Sequence, residues 1–342
     1  MPILTPTSEF LLFSFLKIMI VFGAVMTMFA YSVMAERRIS AFIQDRVGPN
    51  RVGPFGLLQP LADGVKAFLK EDFTPDHVRK GYFWLAPAIT MIPAFLTIAI
   101  IPFGSTLGSQ RMVIADLNVG ILYTFGIVSL GVYGIVLAGY ASNSKYPFLG
   151  GIRSSAQMIS YEIAMGMSVI PLFMLVGDLN LSKVIEWQAN NGWLILYAPF
   201  CFLIFLVSAF AETNRLPFDL PESETELVGG YNTEYGSMKF ALFFMGEYAN
   251  MIAASAMMVV LFFGGWTLPF LSTPANTVLA GLVHIGVFLA KLGLFMVIFI
   301  WSRWMLPRFR YDQLMDLGWR RFVPFALANI VFYALVLWLR AK

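Results

Sequence analysis

The chain alternates between long apolar runs and polar stretches that contain most of its prolines. A helix that crosses a bilayer needs about 20 mostly apolar residues. Eight runs are long enough: 10–35, 82–107, 119–144, 154–176, 193–211, 240–267, 275–301 and 322–339. The third carries no charged residue. The fourth, sixth and seventh carry one each, Glu162, Glu247 and Lys291. The first carries Lys17, whose stem can reach outward. It ends in Glu36-Arg37-Arg38 with no small-residue cleavage site, so it reads as a retained helix and not a leader.

The stretches after the odd-numbered runs, 36–81, 145–153, 212–239 and 302–321, are polar and mostly long. Within the first, residues 55–70 place Leu58, Leu61, Val65, Phe68 and Leu69 at helical spacing, with Gln59, Asp63, Lys66 and Lys70 off the stripe. That segment is too short and too polar to span. It predicts an amphipathic helix lying in the membrane interface. The pattern as a whole predicts a single polytopic domain, 1–342, of the all-α integral membrane class, with eight transmembrane helices and one interfacial helix.

Basic residues orient such a chain, because loops rich in Lys and Arg stay inside. Seventeen of the 23 lie in the four stretches named above; only Arg111, Lys183, Arg340 and Lys342 lie on the opposite side. The expectation is that the basic side faces the cytoplasm, or a mitochondrial matrix if the protein is organellar, with both termini outside. Composition agrees with the pattern. Hydrophobic residues make up 58% of the 342 and charged residues 13%, with a mean hydropathy of +0.74. About 25% charge is usual for soluble domains, so a soluble enzyme, a disordered chain and a peripheral binding module are excluded. One cysteine, Cys201, and two histidines, His77 and His284, leave no set for a zinc or iron–sulfur site. No phosphate-binding Gly-x-x-x-x-Gly-Lys-Ser/Thr sequence is present.

Ionisable groups at membrane depth are expensive and mark functional sites. Glu162 lies about eight residues, or roughly 12 Å, inside its span. Glu247 is at a similar depth, and Lys291 lies about 12 residues, or roughly 18 Å, below Arg303. Glu212 stands at the mouth of the fifth span. The third polar loop adds Asp219, Glu222, Glu224 and Glu226 against a single Arg215, among prolines and apolar residues that suit a structured segment. A graded line of carboxylates can hold and pass protons. A buried Glu–Lys pair that fixes helix packing accounts for the same pattern, and on the residues alone both readings stay open.

Several polar stretches together resemble one family. They are Ala35-Glu-Arg-Arg38, the long run Asp45-Arg-Val-Gly-Pro-Asn-Arg-Val-Gly-Pro continuing to Lys66, Ala211-Glu-Thr-Asn-Arg-Leu-Pro-Phe-Asp-Leu-Pro-Glu222 and Leu306-Pro-Arg-Phe-Arg-Tyr-Asp-Gln-Leu-Met315. Ser155–Glu162 and Gly246–Asn250 add to them. The chain resembles the membrane subunit of proton-pumping NADH:quinone oxidoreductase, respiratory complex I, which in bacteria is called the H subunit. The resemblance implies a place where the membrane arm meets the peripheral arm, at the membrane end of a quinone-binding cavity. It implies quinone contacts from Glu36, Arg37, Asp63, Lys66 and Arg303. It implies an acidic proton path through Glu162, Glu212, Asp219, Glu222, Glu224 and Glu247; Lys291 joins that path from its depth alone. Arg153, Arg308 and Arg310 match positions that face peripheral subunits. The family further implies quinone as substrate, no cofactor or metal bound by this chain, FMN and iron–sulfur clusters in partner subunits, no nucleic acid, and a bacterial inner-membrane location. The homologous subunit of membrane-bound hydrogenases or formate hydrogenlyases is the nearest alternative, and a stand-alone ion transporter a more distant one.

Overall fold

A computed structural model describes residues 6–107, 110–220, 224–268 and 277–341, with the side chains of 6–10, 224–225 and 341 left aside. Thirteen α-helices follow in order among these residues. They are α1 Pro6–Ile43, α2 Gln59–Leu69, α3 Lys80–Ile98, α4 Gly120–Ala141, α5 Lys145–Val176, α6 Leu181–Asn191, α7 Leu194–Tyr197, α8 Pro199–Glu212, α9 Glu224–Leu227, α10 Ser237–Phe262, α11 Val278–Met305, α12 Tyr311–Asp316 and α13 Val323–Ala341. The only strands described, Thr106–Leu107 and Gln110–Arg111, form a two-residue antiparallel hairpin. The architecture is all-α, with seven helices long and apolar enough to cross a membrane and α8 as a shorter apolar one.

The sequence pattern and the helices differ at their ends, each time for a local reason. The fifth apolar run is two helices, because Pro199 lacks an N–H and Ala198 adopts φ −136° and ψ 59° between α7 and α8. The second run stops being helical at Ile98, short of Pro102 and Gly104. The stretch 145–153 is helical and belongs to α5. The 302–321 stretch holds α12 and a π-helical turn, Leu317–Phe322, that leads into α13. The first two residues of the seventh run, 275 and 276, lie outside the described residues.

Lipid tails give apolar helices no reason to associate, so packing and close approach must hold the bundle. α3 and α4 form the most extensive pair. Gly134 of α4 lets them meet: a Cβ there would stand 2.2 Å from Thr90 Oγ1 and 2.7 Å from Thr90 N. α5 sits centrally against α4, α8 and α13. Gly177, at φ 81°, ends it with a left-handed cap whose N–H bonds to Phe173 O. α10 is the most enclosed of the long helices, and α1 the least. α1 is about 57 Å long at 1.5 Å per residue, so its polar end, with Glu36, Arg37 and Arg38, reaches well past its apolar part.

The polar stretches that follow the odd-numbered runs converge on one face of the bundle. There α2 lies against the ends of α1 and α10, with Leu61, Val65, Phe68 and Leu69 exposed. Two groups of α10's first turn pin it. The Ser237 hydroxyl donates to Ala67 O at 3.0 Å and Lys70 O at 2.9 Å, and Lys239 Nζ bonds to Thr74 Oγ1 at 2.7 Å and pairs with Asp72 at 3.0 Å. The loop after α8 folds inward, burying Arg215, Phe218 and Leu220. Gln157 Nε2 of α5 holds it by donating to Ala211 O and Phe218 O, both at 2.8 Å.

Candidate functional site

The largest cavity described, 510 Å³, lies between α1, α2 and α10. α1 contributes Met26, Phe29, Ala30, Val33, Met34 and Arg37, one stripe at three- and four-residue spacing. α10 contributes Phe240, Phe244 and Met245. The wall is apolar except at one end, where Arg37, Gln59, Asp63 and Lys66 meet. Asp63 organises that end. Its carboxylate accepts from Arg37 at 2.8 Å and from Gln59 Nε2 at 3.0 Å, and Lys66 Nζ stands 3.6 Å away. A long apolar slot with a few polar groups at its head suits an amphipathic small molecule.

Phe244 also lines a second, 60 Å³ cavity with a different lining: Asn214, Arg215, Leu216, Asp219, Glu247 and Arg303. Glu36 lines neither cavity; it anchors two residues of this chamber's wall, Arg215 and Arg303. Arg215 Nη1 donates to both Glu36 oxygens, at 3.1 and 2.9 Å. Tyr248 Oη donates to Glu36 at 2.5 Å, and Arg303 Nη1 bonds to it from α11. Arg215 lies over the Tyr248 ring, 4.4 Å from its centroid. Its Nε is 2.7 Å from Glu247 Oε1 but off the N–H direction, so this contact is an ion pair without a directed hydrogen bond. Burial works against the Arg215 charge, and Glu247 and Glu36 more than restore it. Two arginines and two glutamates thus balance, with Arg215 and Glu36 buried and Arg303 reaching in from the exposed side. Asp219 borders them, 3.1 Å from Arg308. Burial pushes its carboxyl above the ordinary value, against the pull of Arg308, Arg303 and Arg215.

From this chamber two smaller cavities continue into the bundle. The first, 20 Å³, shares Asn214 and Glu247 with it and adds Glu212 and Asn250. The second, 40 Å³, shares Glu212, Thr213 and Asn250 and continues to Thr97, Thr124 and Val128. Each exceeds the roughly 10–15 Å³ that one water needs. Glu212 is buried, and neither of its oxygens has a hydrogen-bond partner among the described residues. Beyond Val128 on α4, Ser129 donates to Glu162 of α5.

The structure therefore brings Arg303, Asp219 and Glu247 together around one chamber, with Glu36 bonded to Arg303 and Arg215 behind its wall, and Arg37, Asp63 and Lys66 at the head of the large cavity. Glu212 stands between the two inner cavities, and Glu162 lies past them. Lys291 is not among them. Its ammonium donates to Phe263 O, Gly265 O and Thr267 O at the far end of α10. Glu222 lies outside the described residues, and of Glu224 only the backbone is described. Arg153 pairs with Glu226 at 2.7 Å and Arg308 with Asp219, while Arg310 bonds to Asp312 on the exposed surface. Sequence reasoning assigned no role to Arg215, Tyr248 or Phe244. For Arg215 the available signal was a lone base in an acid-rich loop. For the cavity wall it was the stripe along α1.

Among the described residues no group of three His, Cys, Asp or Glu converges on a metal position. A family model described as NADH dehydrogenase matches residues 16–334. An NADH-quinone oxidoreductase H subunit of Cytophaga hutchinsonii is 50% identical over 331 residues, covering 94% of this chain and 96% of that protein. The corresponding protein of Flavobacterium johnsoniae is 48% identical, covering 95% of each. That of Geobacter metallireducens is 50% identical over 341 residues, 98% of this chain and all of that protein. With its all-α, multi-pass architecture and these near full-length matches, the chain belongs to the family of H subunits of NADH-quinone oxidoreductase, a multi-subunit membrane enzyme.

Proposed function

We propose that this protein forms the membrane end of the enzyme's quinone-binding cavity and the start of an acidic path that couples quinone reduction to proton movement. The observation that carries the reading is the 510 Å³ apolar cavity, with Arg37, Asp63 and Lys66 at one end and Phe244 between it and the chamber of Arg215, Asp219, Glu247 and Arg303. A quinone's tail fits the wall of Met and Phe side chains, and its headgroup fits the polar end. Arg37 and Lys66 oppose negative charge that develops on the headgroup during reduction. Electrons come from partner subunits, where FMN and iron–sulfur clusters belong. The chain's own residues bind, orient and respond electrostatically. A charge change in the large cavity acts on Glu36, Asp219 and Glu247 next door, and coupled carboxylates then shift together. Glu212 and Glu162 carry the response inward, toward membrane-arm partners.

In this reading the basic face is cytoplasmic, both termini lie outside, and Arg153, Arg308 and Arg310 stand where the peripheral arm docks. The relatives' names favour the quinone enzyme over the hydrogenase alternative. The test is the activity ratio in the intact complex. Asp63→Ala or Arg303→Ala is expected to lower NADH-quinone activity about tenfold or more, roughly 1.4 kcal/mol or more of transition-state stabilisation, and to leave NADH oxidation by a hydrophilic artificial acceptor near wild type. Equal loss of both activities would argue against a quinone cavity.

A further inference from the structure

We propose that Lys291 is a structural cation that ties the far end of α10 to α11, and that it stands outside any proton path. α10 ends at Phe262, and the chain then turns through Gly264 (φ 68°) and Gly265 (φ 56°). Gly264 and Gly265 are buried, and buried main chain that leaves a helix needs hydrogen-bond partners from the protein. Lys291 supplies three. Its Nζ is 2.7 Å from Phe263 O, 3.0 Å from Gly265 O and 2.6 Å from Thr267 O. Gln188 of α6 completes the turn: its Oε1 accepts from Gly264 N at 2.9 Å and its Nε2 donates to Val260 O at 2.8 Å. The Trp193 ring lies 4.9 Å from the ammonium.

The ammonium has three N–H donors, and three carbonyls meet them. An ammonium so bound is a poor relay, because amide carbonyls accept hydrogen bonds and do not take up protons near neutral pH. None of the four cavities described above is lined by Lys291. The contact has a consequence for the site itself. α11 holds α10 through Lys291 and, 12 positions on, holds Glu36 through Arg303. Lys291 is therefore a positioning residue for the helix that carries Phe244, Glu247 and Tyr248. This inference is independent of the quinone reading.

The test uses the whole complex in native membranes. Lys291→Arg keeps a permanent cation that does not titrate. It is expected to retain the wild-type ratio of protons moved to electrons transferred. Lys291→Met leaves the carbonyls unmet and is expected to lower the thermal midpoint by several degrees or the amount of assembled complex severalfold. An Arg variant that assembles and oxidises NADH without moving protons overturns the proposal. So does a Met variant with unchanged midpoint and amount. If neither variant accumulates, Trp193→Leu decides, since it keeps the lysine and removes the ring beside it. A lower midpoint with an unchanged proton ratio supports the tether; an unchanged midpoint overturns it.

Discussion

Arg215 touches Glu36, Glu247 and Tyr248 from a loop of irregular backbone, and its side chain is almost wholly buried. Removing one member of a buried ion cluster leaves its partners charged and unpaired, at a cost of about 3–5 kcal/mol. Arg215→Met is therefore expected to lower the thermal midpoint of the complex or the amount assembled, measured by heating native membranes and by gel. Arg215→Lys should recover only part of the loss, because an ammonium lacks the planar fork that serves two carboxylates. Glu247 stood out in the sequence as an ionisable residue at membrane depth, and Glu36 and Arg303 stood out only through the family resemblance. Their pairing was not legible there. Arg215 and Glu36 are 179 positions apart, and nothing in a local pattern records a contact made only when α1 and the loop after α8 meet. Lys291 shows the converse: depth alone grouped it with the acids, and only the backbone turn beside it reveals its partners.

Helices and their order were the most legible level, since length and apolar character decide whether a segment can span. Their ends were less so. α5 begins at Lys145 because Lys145 and Tyr146 are compatible with helix although polar at the membrane edge, so hydropathy marks where lipid begins and not where the helix begins. The break at Pro199 was visible as a residue, but an apolar run on both sides masks it in any hydropathy window. Contact between helices gives a sharper test. In α4, a Cβ on Gly126 meets nothing within 4 Å, whereas one on Gly134 collides with main chain of α3. Gly126→Ala is expected to be neutral or to stabilise by up to about 1 kcal/mol through helix propensity. Gly134→Ala should separate α3 from α4 and sharply reduce assembled complex, read from the same membrane gels. Equal behaviour of the two variants would contradict the α3–α4 packing.

At the scale of the whole molecule, the cavities form a series: 510 Å³ between α1, α2 and α10, then 60, 20 and 40 Å³ inward, each sharing a wall with the next. The sequence showed the carboxylates that border the series but not the spaces themselves, which arise where facing side chains fail to fill the gap between helices. In the proposed coupling, Glu162 lies past the innermost space. Glu162→Gln keeps its volume and its bond to Ser129 while removing its charge. It is expected to leave assembly and electron transfer to a hydrophilic acceptor intact and to abolish coupled proton translocation, followed with a pH-sensitive dye in vesicles. Full pumping by that variant would remove Glu162 from the path. In the proposed coupling the enzyme works against a standing membrane voltage, and the partition of this route by Phe244, Glu247 and Glu212 then has a further meaning. A charge falling back through 100 mV releases about 2.3 kcal/mol, so an open water column would short-circuit the membrane whenever turnover stopped. Separate compartments behave instead like locks on a canal: they pass cargo when worked in order, and hold the level when left alone.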